Sequence, residues 1–331
     1  MMAQEVPELA LWSARLLVYL SIALLFGLVP ITLLVLRPAF ASARRSGTVV
    51  REKLLRRTQH VVIASLVAGA SGTFLMLLNN ALEDASLRDI SLGLGSFERV
   101  LTTNFGQWQA LRFPFLTALG ILLVGKIGPW LLGGATATDE RAPRRWWAIW
   151  ILLSGALLAT VPLTGHAGGH DLRVPAIVND FCHVAFGASW ISGIVGLSYL
   201  LPGGWQGHGE KTPLAVLAPA VDRFSHVAFW SIAAVAATGT INVLLHLGGL
   251  GRLFDTGYGR TLLVKLGVVA CILIFGAINH FLLRDRLTAA LATEQPSKHA
   301  RLLRRNVRAE LILGIAVIGA TSALVGSPPP G

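Results

Sequence analysis

The residues best suited to metal chemistry are concentrated in one short stretch of an otherwise apolar chain. It contains three histidines, two aspartates and one cysteine, in the order His166, His170, Asp171, Asp180, Cys182 and His183. Imidazole, carboxylate and thiolate groups are the common ligands of transition metals. The stretch therefore indicates either a metal site or a polar turn that caps two neighbouring helices.

Asp180 and His183 are the best-placed pair, because residues three apart on a helix share a face. Trp190 continues roughly that face. The pair could bind a metal together with His166 and His170 from the preceding turn, or Asp180 could orient His183 and fix which imidazole nitrogen is free. Without a metal, Asp180 would cap the helix and His183 would pack at the membrane interface. Residue types alone leave both interpretations open.

Further candidates lie elsewhere in the chain. His246 has the depth needed to join the outer cluster, although a single histidine there is also typical of a side chain that snorkels to the interface. Arg112 and Lys265 are expected about a turn inside the outer face, either snorkelling or pairing with an acid such as Asp180. Asn242 is expected to form an interhelical hydrogen bond. Three histidines near the inner face could line an exit path or be interfacial residues: His60, His226 and His280.

Composition identifies the class of protein. Hydrophobic residues make up 53% of the chain and charged residues 14%, whereas a soluble domain is about a quarter charged. The two cysteines imply no disulfide framework. We therefore predict an all-α integral membrane protein.

Eight apolar segments are long enough to cross a bilayer, which requires roughly 20 helical residues. The predicted spans are Leu9–Leu36, Gln59–Asn80, Trp108–Leu132, Trp146–Gly165, Ile177–Leu201, Phe224–Leu247, Arg260–Leu283 and Ala309–Gly326. No basic residue precedes Arg15. The N-terminus thus lacks the positive region of a signal peptide, and we expect a retained first helix.

Lysine and arginine alternate between the loops. They are abundant after the first, third, fifth and seventh spans and sparse in the loops between. The positive-inside rule then places both termini, and the turn between the fourth and fifth spans, on the outer side. This distribution explains the +11 net charge through orientation and lipid headgroups. It indicates membrane lipid as a partner and no nucleic acid.

Short motifs recur in the same order, which indicates an internal duplication. The matched pairs are His60-Val61 with His226-Val227, Gly72-Thr73 with Gly239-Thr240, Thr103-x-x-Gly106 with Thr256-x-x-Gly259, and Arg112 with Lys265. The halves, approximately 9–165 and 177–326, hold four spans each and would share one orientation, as in parallel repeats. The Asp180/His183 pair has no counterpart in the first span, and His166 falls opposite Ser327. The polar stretch therefore distinguishes the two halves.

Asp180-x-x-His183-x6-Trp190-x-x-Gly193, preceded by His166-Ala167, resembles the membrane domain of the copper resistance protein D (CopD) family. The resemblance continues through Arg223-Phe224-Ser225, Gly239-x-x-Asn242, Tyr258-Gly259-x-x-Leu262-x-x-Lys265 and Arg308-x-Glu310 leading to Pro328-Pro329. Its specific part covers residues 166–330. The chain is accordingly divided into a first repeat region, 1–146, and a CopD-like membrane domain, 147–331.

The resemblance implies a multi-pass protein of the bacterial inner membrane, so the outer side to which the loop charges assign both termini is the periplasm. Such a protein would capture copper at His166, Asp180 and His183, with Trp190 nearby, and pass it across or into the membrane. A periplasmic copper-binding protein of the CopC type is the implied partner, and a homo-oligomer is compatible with the sequence. The imidazole and carboxylate groups suit Cu(II) or a mixed site, because three methionines form no thioether track for Cu(I). The oxidation state stays undecided.

Two alternatives to copper transport stay open. Paired histidines in a helical bundle can bind haem b in a membrane electron carrier, an oxidoreductase role. His226 and His246 are about 30 Å apart along one helix, however, so only a single haem is compatible with them. The third hypothesis is an assembly factor or sensor that holds copper without transporting it. We expect a protein that is not an enzyme.

Overall fold

The structure is a computed structural model that describes residues 2–42, 48–127, 144–165, 173–200, 211–247, 252–279, 281 and 297–325. These ranges are helical throughout apart from short turns, and they contain no strand. Eight of the helical segments are long and apolar enough to cross a membrane. The predicted class, an all-α multi-pass membrane protein, is confirmed.

Helix bounds in the first part of the chain are α1 Met2–Ile31, a π-helical turn Thr32–Leu36, α2 Arg37–Ser42, α3 Thr48–Leu87, α4 Leu94–Thr102, α5 Asn104–Ala110, α6 Arg112–Leu122, a second π-helical turn Leu123–Ile127, and α7 Arg144–Thr164. Those in the second part are α8 Arg173–Leu200, α9 Lys211–Leu247, α10 Arg252–Asp255, α11 Gly257–Ile278 and α12 Ser297–Leu324. The candidate membrane spans are Leu9–Phe40, Arg56–Leu87, Asn104–Gly125, Arg145–Thr164, Val174–Ser198, Val216–Leu245, Gly257–Ile278 and Leu302–Leu324.

Several helices extend beyond the apolar runs that predict them. Helix α3 begins at Thr48, eleven residues before the expected start, because the basic segment between contains good helix formers such as Leu, Arg and Lys. The third span differs in another way. It is divided at Leu111 into α5 and α6, where a single helix was expected.

Two helices begin with the same threonine cap. The hydroxyl of Thr103 accepts a hydrogen bond from the backbone N–H of Gly106 at 3.0 Å. The hydroxyl of Thr256 accepts one from Gly259, also at 3.0 Å. Such caps satisfy a backbone donor that has no partner within its helix. The recurring Thr-x-x-Gly motif is thus a helix start at both places where it occurs.

Helices α1 and α8 pack against each other at the centre of the bundle. They approach so closely at Gly27 that a Cβ atom there would overlap the backbone oxygen of Ala188 and the hydroxyl of Ser192. Ser192 also donates a hydrogen bond to the backbone oxygen of Ala23 at 3.1 Å. Small residues at such a crossing are typical of membrane helices, where close backbone packing replaces hydrophobic attraction.

The other spans are arranged around this central pair. Helix α3 packs on α1, α9 packs on α8, and both α7 and α12 contact α1 and α8. Buried polar groups reinforce this packing. The indole N–H of Trp150 on α7 donates to the backbone oxygen of Leu25 on α1 at 2.9 Å. On the α11–α12 contact, Asn306 donates to Asn279, which in turn donates to Glu310.

Candidate metal centre

The candidate site lies where α8 packs against α9. Helix α8 presents Asp180 and His183, whose three-residue spacing places them one turn apart. Helix α9 presents Thr238 and Asn242, again one turn apart. All four side chains are half-buried. Two polar pairs therefore face each other across the contact between α8 and α9.

His183 is held by a hydroxyl group and by a glycine. Its Nδ1 lies 3.0 Å from Oγ1 of Thr238. The ring also rests against the backbone of α9 at Gly239, where a Cβ atom would lie 3.2 Å from Cε1 of the imidazole. The absence of a side chain at position 239 lets the ring come this close. The orientation of the imidazole is thus set by α9.

Asp180 is held by a chain of side-chain amides. Asn242 donates from Nδ2 to Oδ1 of Asp180 at 3.1 Å. Asn179 donates from Nδ2 to Oδ1 of Asn242 at 2.7 Å and to the backbone oxygen of Thr238 at 3.0 Å. The two amides thus form a hydrogen-bonded chain that ends on the carboxylate of Asp180. The interhelical hydrogen bonds expected of Asn242 are present.

A cation and two phenols lie near this pair. Lys265 on α11 interacts electrostatically with both Asp180 and His183. Tyr258 on α11 and Tyr19 on α1 lie within electrostatic range of Asp180. Of the two roles considered for Lys265, the structure places it where it can pair with an acid. The positive charge offsets that of the carboxylate and opposes that of a bound metal.

Arg112, which the repeated sequence motifs pair with Lys265, is buried and has a different environment. Its Nε donates to Oγ1 of Thr160 at 2.8 Å and one Nη to Oγ1 of Thr164 at 3.2 Å. The other Nη donates to Oε1 of Gln109. These partners are neutral groups of α5 and α7. Arg112 thus joins two helices, and its guanidinium does not snorkel to the surface.

The remaining predicted site residues fall into three groups. Trp190 is half-buried and packs against an apolar cluster that contains Leu217 and Phe224. His60 on α3 and His226 on α9 both have exposed side chains. The positions that lie outside the described residues, or whose side chains do, are His166, His170, His246 and His280.

Within the described part of the chain, no group of three or more His, Cys, Asp or Glu side chains is positioned to hold a metal. Asp180 and His183 offer one carboxylate and one imidazole, which are two of the ligands that a transition metal commonly takes. No third His, Cys, Asp or Glu side chain of the described residues joins them. Among the described residues, the pair thus supplies only part of a metal site.

Three contributors to this site were missed by sequence reasoning. Thr238 and Asn179 carry no motif of their own, although each adjoins a residue of a recurring or suspected motif. Gly239 was noted in a repeated Gly-Thr pair and in the Gly239-x-x-Asn242 motif, but not as a contact of His183. Gly239 directly follows Thr238 and precedes Asn242 by three residues. This combination of a glycine and polar residues could have indicated that this face of α9 approaches another helix closely.

Comparison with known proteins gives two family matches. The family described as "Copper resistance protein D-like, N-terminal domain" matches residues 4–172, and that described as "Copper resistance protein D" matches residues 218–324. Together they cover most of the chain, including α9 from residue 218 onward, whereas α8 lies between the two matched ranges. No solved structure matches the chain.

Three curated proteins are similar to this chain. It is 31% identical over 185 residues to "Copper transport protein CutJ" of Bacillus subtilis (strain 168), covering 56% of this chain and 31% of that protein. It is 24% identical over 314 residues to "Copper resistance protein D" of Pseudomonas syringae pv. tomato, covering 93% of each. It is 25% identical over 242 residues to "Inner membrane protein YebZ" of Escherichia coli (strain K12), covering 71% of this chain and 73% of that protein. The chain thus spans about a third of the CutJ protein and nearly all of the Pseudomonas protein.

Proposed function

Because this chain belongs to the copper resistance protein D family, we propose that it captures copper at Asp180 and His183 and passes it across or into the bacterial inner membrane. The observation that carries this proposal is the α8–α9 contact, in which an imidazole and a carboxylate are fixed by Thr238 and Asn242. Ionisable groups inside a membrane span are costly and therefore mark functional sites. Copper is the cargo of this site.

The remaining ligands are proposed from the outer ends of neighbouring helices. His166 and His170 precede α8, and Asp180 lies about 10 Å along that helix from its start at Arg173. His246 lies near the end of α9, one turn beyond Asn242. With both termini periplasmic, as the loop charges favour, this end of the bundle faces the periplasm. A periplasmic protein of the CopC type is the proposed source or acceptor of copper.

The duplication of four spans is part of the proposal, and helix packing supports it. Helix α1 packs on α3 as α8 packs on α9, while α7 and α12 each contact both central helices. The contact proposed as equivalent to His183 against Gly239 contains no imidazole. A Cβ atom at Gly72 would lie 2.8 Å from Cγ2 of Val18 and 2.8 Å from the backbone oxygen of Ala14. The first half thus places a valine where the second half places an imidazole.

The proposed route leads from the outer site toward the inner face. His60 and His226 are at equivalent positions of α3 and α9, and His280 follows α11. These histidines would receive copper after it leaves Asp180 and His183. Lys265 would weaken the hold on the cation, because a positive charge near the site opposes that of copper. The names of the family point to copper resistance and transport rather than to catalysis.

Copper accumulation in cells tests the capture site. We expect His183→Ala, expressed at the wild-type level in the membrane, to lower copper accumulation to that of cells carrying empty vector. The matched control is Cys182→Ser, which removes a metal-binding side chain about 100° around the same helix from His183. Wild-type accumulation in the His183→Ala strain would refute the site.

Flux into liposomes separates transport from binding alone. Purified protein reconstituted in liposomes should carry copper to an indicator trapped inside, and His183→Ala should abolish this flux. If the protein binds copper but no flux occurs, it is the holding protein of the alternative hypothesis, an assembly factor or sensor.

A further inference from the structure

We propose that Thr238 fixes the tautomer of His183, holding a proton on Nδ1 so that the lone pair of Nε2 is directed to copper. The proposal rests on the copper site proposed above and names the residue that prepares its imidazole ligand. It assigns to Thr238 a positioning role, since the threonine acts on the metal through His183.

The direction of the hydrogen bonds follows from the hydrogens available. A threonine hydroxyl has one hydrogen to donate. Oγ1 of Thr238 lies 2.6 Å from the backbone oxygen of Ala234 and 3.3 Å from that of Val235. A carbonyl oxygen can only accept, so the hydroxyl hydrogen is directed to α9 itself. Toward His183, Oγ1 therefore presents a lone pair.

The tautomer of the imidazole follows from this direction. Nδ1 of His183 lies 3.0 Å from Oγ1 of Thr238, and the imidazole also interacts with the backbone of Val235, one turn earlier on α9. Because Oγ1 presents a lone pair, its hydrogen bond with the ring needs a hydrogen from Nδ1. A neutral imidazole has one N–H, so Nε2 then carries the lone pair. A metal binds the nitrogen that lacks hydrogen, and a hydrogen bond from the opposite nitrogen sets both the tautomer and the ring orientation.

Thr238 is itself held in place. Its backbone oxygen accepts a hydrogen bond from Asn179 on α8, so the turn of α9 that carries it is tied to the helix that carries His183. At the equivalent position of the first half, Ser71 is exposed and Val18 lies against Gly72. The hydroxyl–imidazole pair is therefore a property of the second half, as the candidate site is.

Two substitutions at position 238 separate hydrogen bonding from packing. Thr238→Val keeps the branched shape and removes the hydroxyl, whereas Thr238→Ser keeps the hydroxyl. Thr240→Val is the matched control, because Oγ1 of Thr240 makes the same type of bond to Ala236 at 2.9 Å on an exposed face of α9. All variants are made in the full chain and purified in nanodiscs.

Two measurements then test the proposal. Titration with Cu(II) should show an affinity about 10- to 100-fold weaker for Thr238→Val, with Thr238→Ser and Thr240→Val close to wild type. Nitrogen chemical shifts of ¹⁵N-labelled histidine, assigned through the signal lost in His183→Ala, should show hydrogen on Nδ1 in the metal-free wild type. In Thr238→Val the shifts should move toward the other tautomer.

The proposal is overturned if His183 carries its hydrogen on Nε2 in the metal-free wild type. It is also overturned if Thr238→Val binds copper with wild-type affinity while His183→Ala has lost copper binding. Failure of the copper site gives a different result. In that case His183→Ala binds copper as the wild type does, while the nitrogen shifts still report the tautomer.

Discussion

The imidazole of His183 lies against Gly239, with Cε1 3.2 Å and Nδ1 3.6 Å from the position that a Cβ atom at residue 239 would occupy. The first distance is tighter than ordinary van der Waals contact, so even a methyl group would displace the ring. The same imidazole bonds to Thr238, the neighbouring residue on α9. The helix backbone at these two positions therefore determines where the ring nitrogens point.

Gly239→Ala should weaken copper binding with little loss of stability. The added methyl group shifts the imidazole by a few tenths of an ångström and lengthens its hydrogen bond to Thr238. We expect copper affinity to fall about tenfold, in the range seen when the partner of a metal-binding histidine is disturbed. Copper titration of purified protein measures this change.

Gly267→Ala on α11 is the control for this substitution, because a Cβ atom there has no atom within 4 Å. Its affinity should equal that of the wild type. Equal affinities for Gly239→Ala and the wild type would show that the ring is not constrained by α9.

Gly193→Ala should destabilise the protein, because a Cβ atom at this position would overlap the ring of Phe224 on α9. Overpacking of this kind costs about 1–3 kcal/mol. Thermal unfolding in detergent should show a lower midpoint for this variant. Phe224→Leu in the same chain should restore part of the loss.

Gly187 on the same helix provides the comparison, since a Cβ atom there has no atom within 4 Å. Gly187→Ala should be neutral or more stable than the wild type by up to about 1 kcal/mol, because alanine has less backbone freedom to lose. Equal midpoints for the two alanine variants would contradict the packing of Gly193 against Phe224.

Lys265→Met should tighten copper binding. The ammonium group interacts electrostatically with Asp180 and His183, so it repels a cation bound between them. We expect affinity to rise about tenfold and copper release from the protein to slow. Stopped-flow exchange with a chelator measures the release.

Arg112→Met is the matched variant, because the repeated sequence motifs pair Arg112 with Lys265. It removes a cation that donates to Thr160 and Thr164, so it should lower stability by about 1–3 kcal/mol through unsatisfied polar groups. Copper affinity of the folded protein should change less than in Lys265→Met. If copper affinity rose more in Arg112→Met than in Lys265→Met, Lys265 would not be the cation that opposes copper binding.

Purified protein should show no Soret absorption band, in contrast to a b-type haem carrier. A haem with two axial histidines needs imidazoles that face each other across one ring. His183 contacts Thr238, whereas His226 lies twelve residues earlier on α9, about 18 Å along the helix. A Soret band that scales with protein concentration would favour the electron-carrier hypothesis.

Much of the fold could be predicted from the sequence, because the bilayer imposes a length and a polarity on each span. All eight spans correspond to predicted apolar runs. The division of the third span at Leu111 was not predicted, since the apolar run continues through it. The basic N-terminal extension of α3 was not predicted either, because a polar helix does not appear as an apolar run in the sequence.

Less of the site could be predicted. The three-residue spacing of Asp180 and His183 is a property of one helix and is visible in the sequence. Their contacts with Thr238 and Asn179 depend on how α8 and α9 are rotated and shifted against each other. That arrangement is set by side-chain packing over the whole interface, including Gly193 against Phe224. The residue pattern along a single helix does not predict it.

The most direct test of the account is to locate copper in crystals of the protein by anomalous scattering at the copper absorption edge. We predict a peak within bonding distance of Nε2 of His183 and of the Asp180 carboxylate, and no peak at this place in crystals of His183→Ala. A strong copper peak elsewhere in the wild-type protein, with none between α8 and α9, would contradict the account.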